Sequence, residues 1–251
     1  MLRRDAGRSE RAAGAEAWYH RTMATQTPTR LVLVPLPDFV HFPQTHLRLD
    51  FSAEDRPLVE RIFLGDGDEP PAVGTVLLKP AWARDEDAVE VFSAGTAGRL
   101  IDFESLPDGG CRVLIYGEYR FEVRRELGRG PLREALVEPL KEPYLSDVDP
   151  EVIAVRDDLV HVIGTLAEQL DDHFPLSHEQ LSTLRDDDVP FETFVNSVAA
   201  SLDVSPIRKL ALLADALPER ARNLLAILKS RQTILELLRP YRHLARRAAV
   251  N

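Results

Sequence analysis

Residues 90–127, EVFSAGTAGRLIDFESLPDGGCRVLIYGEYRFEVRREL, decide the fold. In their middle stands Pro107-Asp108-Gly109-Gly110, a hairpin turn: proline presets φ and the glycines accept positive φ. Both flanking arms read as strands. The outgoing arm has small residues at its centre. On the return arm Val113 and Ile115, and later Phe121 and Val123, alternate with their neighbours. Gly117 in that arm predicts a bulge or sharp bend, as closing a small barrel requires.

Working outward, LVLVPL at 31–36 is a short apolar run, the pattern of a buried strand. Pro35 and Pro37 cannot donate to a ladder, so this strand ends there or lies at an edge. Residues 37–44, PDFVHFPQ, form a loop whose apolar residues Phe39, Val40 and Phe42 are expected to face solvent. THLRLDF at 45–51 alternates, with Leu47, Leu49 and Phe51 on one side. Ser52 is the expected cap of a helix in AEDRPLVERIFL, where Leu58, Ile62 and Phe63 form the apolar stripe and Gly65-Asp66-Gly67-Asp68 stops it. AVGTVLLK at 72–79 and LREALVEPL at 132–140 supply two more strands, with a polar loop at DEDAVE. Six or more strands on short connections predict a compact, barrel-like sheet.

Beyond a linker at 142–150 the period becomes helical. Val152, Val155, Leu159, Val162, Ile163 and Leu166 share one stripe. SHEQLSTLRD is a short helix capped by Ser177, and PFETFVNSVAASL begins with proline in its first turn. Ser205-Pro206 and Pro218 open two more helices, the last with an apolar face of Leu224, Leu225, Leu228, Ile234, Leu235 and Leu238. About five helices on short joints predict a bundle. The fold class is therefore α+β, a β barrel at 29–141 followed by a helical bundle at 151–244. Residues 1–28 and 245–251 are expected to be disordered or flexible tails. Met23 is a candidate start, with residues 1–22 an extension.

Composition narrows the function. The 251 residues are 44% hydrophobic and 29% charged, ordinary for a globular chain. A single cysteine, Cys111, excludes an internal disulfide and fits a reducing cytoplasm. A net charge of −10 disfavours nucleic acid unless a basic face is concentrated. Arg239, Arg242, Arg246 and Arg247 cluster near the end, where cations also complement a helix dipole. No run approaches a membrane span, and the arginine-rich N-terminus lacks the apolar core of a secretory signal. The default location is the cytoplasm.

Catalytic motifs are missing. There is no G-x-x-x-x-G-K-[ST], no G-x-G-x-x-G after a strand and no G-x-S-x-G elbow. Lys229 and Ser230 are helix neighbours, about 100° apart, and make a poor dyad. Asp157-Asp158 and Asp171-Asp172 are doublets that a charged chain supplies freely. His41 and His46 flank a short loop with a spacing that could chelate, but the plainer reading is a pair of solvent-facing histidines. Asp186-Asp187-Asp188 lacks the alternation of a calcium loop. No cofactor or metal is expected.

LVLVPLPDFVHFPQTHLRLDF followed by FSAGTAGRLIDFESLPDGGCRVLIYGEYRFEV resembles the N-terminal substrate-binding domain of Lon proteases. ADALPERARNLLAIL before the long last helix is similar to the helical subdomain that follows there. The resemblance covers about 31–240. It implies a PUA-like β pseudo-barrel, a companion helical bundle and recognition of unfolded or tagged polypeptide, with a Lon-type protease as a further partner. It also implies a stand-alone form without the ATPase and Ser–Lys protease modules, hence a non-catalytic protein. The residues expected to bind peptide are Phe39, Val40, Phe42, Pro43, Tyr116 and Arg120. For Phe42-Pro43 the competing reading is a plug at the barrel end, and for Tyr116 and Arg120 a pair on the sheet surface. The alternative function is a regulatory scaffold holding one folded partner through the last helix.

Overall fold

The computed structural model describes residues 29–64, 71–80, 90–128, 133–143, 145–170, 173–186 and 188–241. The expected tails at 1–28 and 245–251, the glycine stop at 65–68 and the polar loop at 85–89 lie outside them, as do Asp171, Asp172, Asp187, Arg242, Arg246 and Arg247.

Six described strands form one mixed sheet: β1 (Thr29–Leu36), β2 (His46–Phe51), β3 (Val73–Leu78), β4 (Val91–Ser105), β5 (Cys111–Glu126) and β6 (Arg133–Pro139). Their order is β2-β5-β4-β3-β1-β6, and a further β5–β6 pairing closes the last five into a barrel. Only β1 and β3 run parallel. Closure depends on the length of β5. One edge pairs with β4 along almost its whole course. The other edge is divided: Cys111–Tyr116 pair with β2 and Phe121–Glu126 with β6.

The turn that joins β4 to β5 forms as its residues dictate. Gly109 has φ +86°, Leu106 N–H donates to Gly110 O, and Asp108 Oδ1 accepts from Gly110 N–H. The predicted irregularity at Gly117 is also present. Between Ala97 and Gly98 the β4–β5 register shifts, leaving Glu118 as the extra residue. Pro35 lies inside β1 and pairs with Val76, but the β6 ladder stops at Leu33. Among the described residues one edge of β1 therefore has no strand partner around Pro35, which is why the missing N–H is tolerated.

β1 is buried on both faces. Leu31 and Leu33 join Val76, Ala97, Phe121, Ala135 and Val137 in one core. Val34 and Leu36 join Leu47, Val113, Ile115 and Cys111 in a second core, under the helix α1 (Arg56–Phe63). That helix starts later than expected. Ser52 does not cap it; its hydroxyl exchanges hydrogen bonds with Asp55 in a turn, and Asp55 is the N-cap residue. The buried stripe is accordingly Val59 and Phe63, with Leu58 only half-buried.

Five helices follow among the described residues: α2 (Pro150–Leu170), α3 (His178–Leu184), α4 (Phe191–Ser201), α5 (Pro206–Ala214) and α6 (Leu217–Leu238). Ser177 caps α3 in a full capping box with Gln180. The helices bury Leu159, Ile163, Leu166, Phe194, Val195, Leu213, Leu224 and Leu228 around one another. Val40, Phe42 and Leu77 of the barrel half belong to this same core.

Candidate polypeptide-binding surface

The loop between β1 and β2 is not the solvent-facing patch that its composition suggested. Val40, Phe42 and Pro43 are buried, and Phe42 has no exposed surface. The loop folds inward because its polar atoms find partners there. Thr45 Oγ1 donates to Phe42 O at 2.7 Å, and Thr96 Oγ1 donates to His41 O at 2.6 Å. Gln44 takes a left-handed φ of 60°, and its N–H donates to Gly117 O at 2.7 Å. At Gly117 a Cβ would lie 2.5 Å from Phe42 O, so only glycine lets the loop cross β5 here. Phe39 alone of the loop's apolar residues stays open, 39% exposed, with Lys209 Nζ 5.9 Å from its ring centroid.

His41 is likewise not the surface histidine expected from its loop. It is 2% exposed; its Nε2 donates to Thr45 O at 3.0 Å and its Nδ1 lies 3.4 Å from Thr75 Oγ1. Burial pulls its pKa down to about 4, so the ring is neutral at pH 7. His46 is exposed and stands against Tyr116, with ring centroids 5.3 Å apart. His41 is thus inside and His46 outside, and His46 acts on His41 only as a further electrostatic influence that lowers its pKa. Among the described residues no group of three or more His, Cys, Asp or Glu side chains could hold a metal ion.

Arg120 is a buried anchor rather than a surface residue. Its Nη1 donates to Leu213 O, Ala214 O and Asp215 O at 2.7, 3.1 and 2.8 Å. These are the carbonyls at the end of α5, where a cation complements the helix dipole. Arg120 Nε lies 2.7 Å from Glu142 Oε1, an ion-pair distance, though the N–H is not aimed along that line. The same Glu142 oxygen pairs with Arg220 Nη2, and Oε2 accepts from Leu217 N–H at 2.9 Å, at the start of α6. Arg220 is fully buried and also reaches Leu212 O, Asp215 O and Asn196 Oδ1. Burial, and then Glu142 nearby, hold the Glu192 carboxyl above its ordinary range. Three charges from distant parts of the chain thus grip the corner between α5 and α6.

Tyr116 keeps partial exposure on the sheet, with Arg99 5.8 Å over its ring and Arg99 Nε 3.0 Å from Glu118 Oε1. Burial raises its phenol pKa. Of the six residues expected to bind peptide, Phe39 and Tyr116 are accessible, and Val40, Phe42, Pro43 and Arg120 are not. Sequence reasoning missed the groove between α5 and α6, of about 520 Å³, and the exposed apolar end of α6, Ile234, Leu237 and Leu238. The expected apolar face of the last helix included Ile234 and Leu238 but not Leu237, and the period locates such a face without saying what covers it.

A closed barrel docked on a helical bundle defines the class first. The same fold occurs in a Lon N-terminal domain protein from Xanthomonas campestris, 21% identical, with 79% of this chain and 98% of that one covered at a TM-score of 0.54. It occurs too in the N-terminal domain of a Mycobacterium avium complex Lon protease, 14% identical, with 80% and 98% covered at a TM-score of 0.52. The family model of the ATP-dependent protease La (LON) substrate-binding domain matches residues 30–230, and the chain belongs to that family. Among curated relatives, Lon protease of Flavobacterium johnsoniae is 23% identical over 214 residues, which are 84% of this chain and 25% of the relative. Lon protease of Cytophaga hutchinsonii is 25% identical over 126 residues, 50% of this chain and 14% of the relative. The matched part of these proteins is thus a quarter of their length or less, and it is the substrate-binding part rather than the ATPase or protease modules. Among the described residues no helix is long and apolar enough to cross a membrane.

Proposed function

We propose that this chain is a non-catalytic polypeptide-binding module, an adaptor or holdase-like factor that takes up unfolded or tagged polypeptide in cytoplasmic protein quality control. One observation carries the reading: the match to the substrate-binding domain family runs through barrel and bundle together, over residues 30–230. Accessible apolar side chains on a chain of net charge −10 support it, since such surface on a charged protein marks interaction sites. Phe39 and Tyr116 remain its candidate contacts from the barrel half. A Lon-type protease is the partner to which an adaptor would deliver.

The test is light scattering of a chemically denatured reporter diluted into buffer with the purified chain, followed by gel analysis. Suppressed aggregation of an intact reporter, without ATP, is the expected result. Unchanged aggregation, or cleavage of the reporter, removes the reading. The exposed end of α6 favours a second reading, a scaffold that binds one folded partner through that helix. Stoichiometric capture of a single native protein, with no affinity for the denatured reporter, would select it.

A further inference from the structure

The open groove of about 520 Å³ between α5 and α6 has a small-sided, apolar floor: Ala211 and Leu212 from α5, Ala226 and Ile227 from α6. Two arginines flank it, Arg208 on α5 and Arg231 on α6. Neither guanidinium has a hydrogen-bond or ion-pair partner among the described residues. Two aspartates also line the rim. Asp215 Oδ2 accepts from Asn223 Nδ2 at 2.8 Å, and Asp203 forms no hydrogen bond or ion pair among the described residues but acts electrostatically on Lys209. With Lys209 counted, the cations Arg208, Lys209 and Arg231 outnumber the two acids at this end of the bundle.

The apolar floor does not end with α5. Ile234 and Leu238 follow Ile227 at i+7 and i+11, on the same face of α6, and are 53% and 54% exposed. α5 has 9 residues and α6 has 22, so at about 1.5 Å per residue the outer part of α6 runs well past its neighbour. At the inner end Arg120, Glu142 and Arg220 fix the corner, so the two walls are set before a ligand arrives.

We infer that this groove is the seat of bound polypeptide, an inference that rests on the polypeptide-binding reading above, and that its occupant is an apolar segment bearing carboxylates. Aliphatic side chains of the occupant settle on the floor and against Ile234. Its carboxylates, from side chains or from a C-terminus, pair with Arg208 and Arg231. Residues 242–251, RHLARRAAVN, carry three arginines and no acidic side chain, so they would meet Arg208 and Arg231 as like charges.

Fluorescence anisotropy on the full chain tests this with a Leu/Glu peptide of about twelve residues carrying a neutral dye, in free-acid and amidated forms, beside a Leu/Lys peptide and a permanently unfolded reporter protein. Arg208→Glu/Arg231→Glu, two surface changes, should weaken the Leu/Glu peptide about tenfold or more and turn preference toward the Leu/Lys peptide. Loss of binding on amidation assigns the terminal carboxylate, and retention assigns side-chain carboxylates; both support the site. Unchanged Leu/Glu affinity in the double variant overturns it. If the peptide fails on wild type while the reporter binds, the groove assignment falls and the polypeptide-binding reading stands. If neither binds, both fall. A wild-type dimer that Ile234→Asp dissociates, with no peptide bound, also overturns the inference, because a second copy then covers the face.

Discussion

The two ends of α6 are made from similar residues and do opposite things. Over Leu217–Leu228 the helix buries Leu217, Arg220, Ala221, Leu224 and Leu228. Its first N–H, that of Leu217, donates to Glu142, and Arg220 ties the start of the helix to α4 and to the end of α5. From Ile234 to Leu238 the apolar residues Ile234, Leu237 and Leu238 are each more than half exposed. Leucine content therefore does not separate foundation from presented surface. What separates them is whether a neighbouring element arrives with groups that satisfy the backbone and fill the space.

The contrast makes graded predictions. Glu142→Ala should cost most, about 3–5 kcal/mol in a urea titration, because Arg120 and Arg220 would stay buried without their shared carboxylate. A loss below about 1 kcal/mol would mean that the inner end of α6 is not held by charge.

The loop that supports this core from the barrel side should be acid-sensitive. His41 titrates near 4 in the folded chain and near 6.5 when unfolded, so below pH 6.5 the unfolded state takes up the extra proton. Stability is full above pH 6.5 and falls as the pH drops to about 4, by roughly 3 kcal/mol in all. His41→Gln should flatten that part of the pH profile of unfolding.

Gly117→Ala should lower stability by about 1–3 kcal/mol, since the added Cβ meets backbone at Phe42 O rather than a side chain that can move. At the outer end of α6, Ile234→Asp and Leu238→Asp should change the unfolding free energy by no more than about 0.5 kcal/mol. If they cost as much as Glu142→Ala, the two ends of the helix are alike after all.

Much of the fold is legible in the sequence, because the signals that carry it are local. Pro107-Asp108-Gly109-Gly110 specifies its turn without help, Ser177 and Gln180 form their capping box within one turn, and the alternation in β5 is plain. The Pro35 strand is legible only in part, since which edge lacks a partner depends on where β6 stops. The candidate surface is less legible. Phe39, Val40 and Phe42 look equivalent in the chain. Yet Phe42 goes inside because Thr45, Thr96 and Gly117 bind the backbone around it, and two of these lie more than fifty residues away. Arg120 reads as one more arginine in a strand. Its role appears only when the end of α5, 93 residues on, turns its carbonyls toward it. No local pattern encodes a groove whose walls are two helices fixed by a third segment.

The most direct test of the account is an equilibrium titration of a labelled, permanently unfolded polypeptide with the full chain, wild type beside Ile234→Asp/Leu238→Asp, each checked for an unchanged unfolding midpoint. The account predicts saturable binding to wild type and loss of at least tenfold in affinity in the equally stable variant, about 1.4 kcal/mol. Equal binding by both chains, or none by wild type, would contradict it.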